Sequence, residues 1–143
     1  MKNFFLIPLV VLFIQCKSSF QSAAYAIPEE TLAVKIDPSE NIQKRGDRTT
    51  ISRMEVLGDY LSMSVSYSGG CEEHDFDLIS DGRYSATYPP EIELVLRHNA
   101  NKDMCRSYID ETLFFDLKPL QYDGTSRIVI RLTNNDNLYE YNY

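Results

Sequence analysis

Between residues 60 and 67 every second side chain is apolar: Leu61, Met63, Val65 and Tyr67 alternate with Ser62, Ser64 and Ser66. Successive side chains of an extended chain point to opposite faces, so this spacing makes a strand with one buried and one wetted face. It does not fit a helix, whose faces repeat every 3.6 residues. The same alternation returns at residues 91–98, where Ile92, Leu94, Leu96 and His98 share one face and Glu93, Val95 and Arg97 the other. Further strands are expected over 31–36, 51–57, 73–79, 112–117, 127–133 and 138–143. Turn signals divide them, among them Gly58-Asp59, Ser68-Gly69-Gly70, Ser80-Asp81-Gly82 and Pro89-Pro90. Residues 37–50, with Pro, Gly and dense charge, read as a loop. No stretch of ten residues carries helical periodicity. The chain is expected to be all-β, an antiparallel β-sandwich of immunoglobulin-like or similar kind, with a small β-barrel as the alternative.

The 143 residues are 43% hydrophobic, with ten Tyr and seven Phe, enough to fill the core of one small domain. Setting Lys2 aside, 13 basic residues stand against 21 acidic ones, a formal charge of −8 for the chain beyond Cys16. That sign argues against nucleic-acid binding and against adhesion to anionic head groups, both of which need a basic footprint.

The N-terminus carries an address. Lys2 precedes an uncharged apolar run over residues 4–14, which is 11 residues long and too short to cross about 30 Å of hydrocarbon as a helix. Residues 1–15 read as a signal peptide, and Cys16 directly after them as a lipid attachment point. Leu12-Phe13-Ile14-Gln15-Cys16 departs from a strict lipobox and fits the relaxed form of some bacterial lineages. A rival cleavage site, Ala24-Tyr25-Ala26, would release the protein instead. Residues 16–27 then form a small, polar tether, and 28–143 a single β domain. The membrane is the expected partner through the N-terminal lipid. The expected location is the cell envelope, at the outer membrane, with secretion as the alternative.

Cys71 with His74, and His98 with Cys105, form two short clusters. Two thiolates and two imidazoles could furnish a tetrahedral zinc site, so Cys71, His74, His98 and Cys105 stand as an alternative metal set, although their spacing is not that of a zinc finger. Export into an oxidising compartment favours a Cys71–Cys105 disulfide, the two cysteines left once Cys16 is consumed by lipid. Such a bond would close a loop of about 35 residues and stabilise the fold by about 4 kcal/mol. His74 and His98 both have the parity of apolar neighbours and read as packed, hydrogen-bonded residues or as a pH-sensitive polar cluster. Glu72, Glu73, Asp75 and Asp77 could feed a cation, and residues 99–103 hold the oxygen ligands of a calcium loop. They lack the EF-hand spacing, however, and read as a polar turn.

The chain contains no G-x-S-x-G, P-loop, G-x-G-x-x-G or H-E-x-x-H motif, so no catalytic residues and no cofactor are assigned. Tyr139, Tyr141 and Tyr143 share one face of the last strand, and this Asn- and Tyr-rich end has the composition of a recognition surface. From Ser68 to Leu120, SGGCEEHDFDL, PPEIELVLRHNANKDMC and LFFDLKPL resemble an arrangement found in small, uncharacterised bacterial envelope lipoproteins. The resemblance implies export, paired cysteines and a β-fold, and it transfers no catalytic residue. The expected function is a non-enzymatic, lipid-anchored binding or structural module with a protein partner in the envelope. The alternatives are a metal-binding periplasmic protein or enzyme, and a secreted protein-binding or inhibitor domain.

Overall fold

Alternating apolar side chains drive this chain into two stacked sheets. The structure is a computed structural model, and it describes residues 30–39, 46–133 and 137–143. The signal segment 1–15, Cys16, the tether 16–27 and the Ala24-Tyr25-Ala26 site lie outside the described residues. Nine strands form among the described residues: β1 (Leu32–Ala33), β2 (Lys35–Ile36), β3 (Thr50–Leu57), β4 (Tyr60–Gly69), β5 (Asp75–Ser80), β6 (Glu91–Asn99), β7 (Ser107–Asp116), β8 (Arg127–Leu132) and β9 (Leu138–Asn142). One sheet has the order β1-β7-β4-β3 and the other β2-β5-β6-β8-β9. This is the expected sandwich, and the two sheets do not close into a barrel. The long pairs β3/β4, β4/β7, β5/β6 and β8/β9 are antiparallel, whereas β1/β7, β2/β5 and β6/β8 are parallel.

The core follows the parities seen in the sequence. Leu61, Met63 and Val65 of β4 and Leu113 and Phe115 of β7 face Phe76 and Leu78 of β5, Ile92, Leu94 and Leu96 of β6, and Ile128 and Ile130 of β8. Each such side chain taken fully from water contributes about 1.5–3 kcal/mol. Gly58 begins the two-residue turn between β3 and β4 with φ of 60°, the left-handed value that a tight hairpin turn needs at that place.

Most strand boundaries shift by a residue or two from the expectation, and three of the differences have a clear cause. Residues 31–36 are not one strand: Leu32 and Ala33 pair with β7, while Lys35 and Ile36 pair with β5 in the other sheet. The chain crosses the gap between the layers there, and Val34 plugs it at 5% exposure. β7 begins at Ser107 rather than 112, because its polar first half pairs with β4 all the way to Gly69. β5 begins at Asp75 rather than 73, because residues 71–74 are tied to the β6–β7 loop instead.

Candidate functional site

Register brings the flagged residues together. Gly69, the last residue of β4, is opposite Ser107, the first of β7, so Cys71 and Cys105 lie two residues beyond a matched pair on either side. Their Cα atoms are 5.9 Å apart and their sulfurs at disulfide distance, and the two lie 34 positions apart in sequence. In the other sheet Phe76 of β5 is directly opposite His98 of β6, and the two rings stack at 4.5 Å with their planes 5° apart.

His74, just ahead of β5, lays its ring over His98 at 5.0 Å. Tyr67, reaching in from β4, completes the box, its ring 4.6 Å from His74 and 5.1 Å from His98. His74 Nδ1 is 2.7 Å from His98 Nε2, and His74 Nε2 is 3.2 Å from Asp103 Oδ2. Gly69 makes room for this. A Cβ at that position would stand 2.4 Å from His74 Nε2 and 3.0 Å from Asp103 Oδ2.

Asp103 is the knot. Its carboxylate, shielded from solvent, accepts the backbone N–H of Cys71 at 2.9 Å, of Glu72 at 3.0 Å and of Cys105 at 2.7 Å, besides the imidazole of His74. Those main-chain donors hold its pKa well below the ordinary carboxylate value. An ionised carboxylate only accepts, so His74 Nε2 carries the proton there. His74 Nδ1 and His98 Nε2 share one further proton between them, and His98 Nδ1 is buried. Burial, and then His74 beside it, pull the His98 pKa down, partly opposed by the main chain of Arg48 and Asp47. Burial, with the Glu111 carboxylate hydrogen-bonded to its hydroxyl, pushes the Tyr67 phenol up to about 12.

The four residues of the alternative metal set thus divide into two pairs, Cys71 with Cys105 and His74 with His98, joined through Asp103. Among the described residues Cys71, Asp103 and Cys105 offer ligand atoms within 4.8 Å of one another, and the two sulfurs face each other. Residues 99–103 turn through left-handed Asn101 and Lys102. Their polar groups are spent internally: Asn101 Nδ2 donates to Glu73 O and Asp75 Oδ2, and Asn101 N donates to Asn99 Oδ1. Tyr141 is fully buried and Tyr139 packs against the same core, whereas Leu138, on the other face of the strand, is exposed. Sequence reasoning did not find Gly69, Phe76 or Tyr67 as walls of the box, nor Asp103 as its center. Asp-x-Cys, the pattern of a carboxylate bonding the N–H two residues on, was the available signal.

The sandwich is similar to that of a NigD-like immunity protein from Bacteroides caccae, with a TM-score of 0.57 and 16% identity over 78% of this chain and 59% of that one. It is also similar to a protein of unknown function from Bacteroides vulgatus, with a TM-score of 0.53 and 16% identity over 79% of this chain and 56% of the other. The chain therefore spans little more than half the length of either. No curated protein matches it. Residues 33–143 match the NigD-like C-terminal β-sandwich domain, and the chain belongs to that family.

Proposed function

We propose that this protein is a non-enzymatic protein-binding module, held at the bacterial envelope by a lipid on Cys16, and that it serves as an immunity protein, as its Bacteroides caccae relative is named. The observation that carries the reading is the closed state of the cluster around Asp103. Asp103 is saturated by three main-chain donors and His74, both nitrogens of His74 are engaged, and the two cysteines meet each other. Such a cluster fastens loops, its polar atoms turned chiefly to one another and to the main chain. Function then falls to the surface, as in a scaffold that presents loops and edges to a partner. Family membership supports the same reading, and the apolar run ahead of Cys16 supports export.

Deletion of the gene in its host, followed by challenge with culture fluid from competing strains, tests the function. Loss of survival against at least one fluid, restored by the wild-type gene, is the expected result. Equal survival against every fluid rejects immunity. Incorporation of labelled palmitate, abolished by Cys16→Ala, tests the anchor separately, and a Cys16→Ala protein that still sediments with membranes rejects it.

A further inference from the structure

We infer that the groove between the free edges of β5 and β7 docks an extended, lysine- or arginine-rich segment of a partner protein. This rests on the protein-binding reading above and adds the place and the chemistry of the contact. β7 is paired with β4 along all ten of its residues, but on its other side only Phe115 and Asp116 are matched, by β1. β5 is paired with β6 over residues 75–79, and on its other side β2 matches only Ile79 and Ser80. Among the described residues, no strand stands beside residues 107–113 of β7 or 75–78 of β5 on those two sides. A groove of about 700 Å³ lies between the two edges. A bare strand edge is a template for another strand, whose main chain supplies affinity and whose alternate side chains supply specificity.

Charge selects the occupant. Glu30, Glu72, Glu73, Asp75, Asp77 and Glu111 line the groove with His74, and no lysine or arginine does. Lys35 pairs with Asp77, Asn101 holds Asp75, and Tyr67 donates to Glu111. The carboxylates of Glu72 and Glu73 form no ion pair among the described residues. A second copy of this chain, with a net charge of −7, would bring acid against acid at these edges. The chain's own segment over residues 16–29 carries Glu29 and only one base, Lys17, so it does not match the charge either. A cationic strand from another protein satisfies the main chain and the carboxylates together, and Ile109 and Tyr67 give its apolar side chains a floor.

The test titrates the full mature chain with a twelve-residue peptide alternating lysine and valine. The controls are a glutamate-valine peptide and a lysine-valine peptide N-methylated at every second amide. Calorimetry is expected to give micromolar binding for the first alone, weakened severalfold between about 50 and 300 mM salt. Amide shifts are expected within residues 72–77 and 107–114. Glu72→Lys with Glu73→Lys, both exposed, should weaken binding about tenfold without moving the urea midpoint. No binding, equal binding of either control, shifts centred elsewhere, or contacts from residues 16–29 already filling the groove would each overturn the inference. If the double variant loses the peptide yet protects its host fully, this site is rejected and the immunity reading stands. If the wild type binds the peptide at the groove yet never protects, the site stands and immunity falls.

Discussion

Nδ1 of His74 stands 2.7 Å from Nε2 of His98, so between two stacked and buried rings one nitrogen gives a proton and the other receives it. Asp103 accepts a hydrogen bond from Nε2 of His74 on the far side of that ring. Three residues, two from loops and one from β6, thereby behave as one hydrogen-bonded unit.

The first expectation concerns pH. The pKa of His98 lies below its ordinary 6.5 in the folded protein, chiefly because it is buried. Below 6.5 the unfolded chain therefore binds more protons, and the folded state, fully favoured above that pH, loses stability as the pH falls through and under it. Asp103, held below its ordinary 3.8, contributes stability that disappears only in stronger acid. The urea midpoint should be lower at pH 5 than at pH 7.5, and His98→Phe, which keeps the stack on Phe76, should flatten that difference. An unchanged difference in the variant would remove His98 as its cause.

Replacing both Cys71 and Cys105 with Ser releases a loop closed across 34 positions. Loss of about 4 kcal/mol is expected in urea unfolding. Intact mass of the unreduced protein should be two hydrogens short of the dithiol. A wild type whose midpoint ignores reductant contradicts both.

Two glycines should answer alanine differently. Gly69→Ala would drive a Cβ to within 2.4 Å of His74 Nε2, in a ring pinned on both sides, and overpacking of this kind costs about 2 kcal/mol. It should also speed reduction of the disulfide, since the loop loses its Asp103 tie. Gly58→Ala meets nothing within 4 Å and suffers only from a φ of +60°, so about 1 kcal/mol is expected, with no change in reduction rate. Equal reduction rates would separate Gly69 from the box.

Tyr141 ties the last strand to the β3–β4 turn. Its hydroxyl donates to Asp59 Oδ1 at 2.8 Å and accepts from Gln121 Nε2 at 3.0 Å, on a side chain with no exposure. Tyr141→Phe leaves both partners short of a bond and should lower stability by about 2 kcal/mol, read as a shifted urea midpoint at unchanged slope. A shift under about 0.5 kcal/mol would mean that water replaces the hydroxyl.

Much of this fold was legible because burial obeys a two-residue period. Leu61, Met63, Val65, Ile92, Leu94, Leu96 and His98 all lie inward as their parity requires. The pairing of Cys71 with Cys105 was legible from the expectation of export and from their being the two cysteines left beyond Cys16. What stayed hidden depends on contacts between distant segments. Residues 31–36 have a strand's composition, and nothing in it says that the chain changes sheets at Val34. The polar first half of β7 hides its pairing because β4 supplies the hydrogen bonds and little of its own apolar surface announces them. Asp103 looked like a solvated turn residue, since its main-chain partners at positions 71 and 72 are invisible without the register of β4 against β7.

The crossing at Val34 has a mechanical consequence. Leu32–Ala33 is fastened to one layer and Lys35–Ile36 to the other, with a single buried valine between them. Any tension arriving through the chain ahead of Glu30 meets both layers within five residues. It is shared between them as through a rivet, so the long strands behind are shielded until that fastening shears.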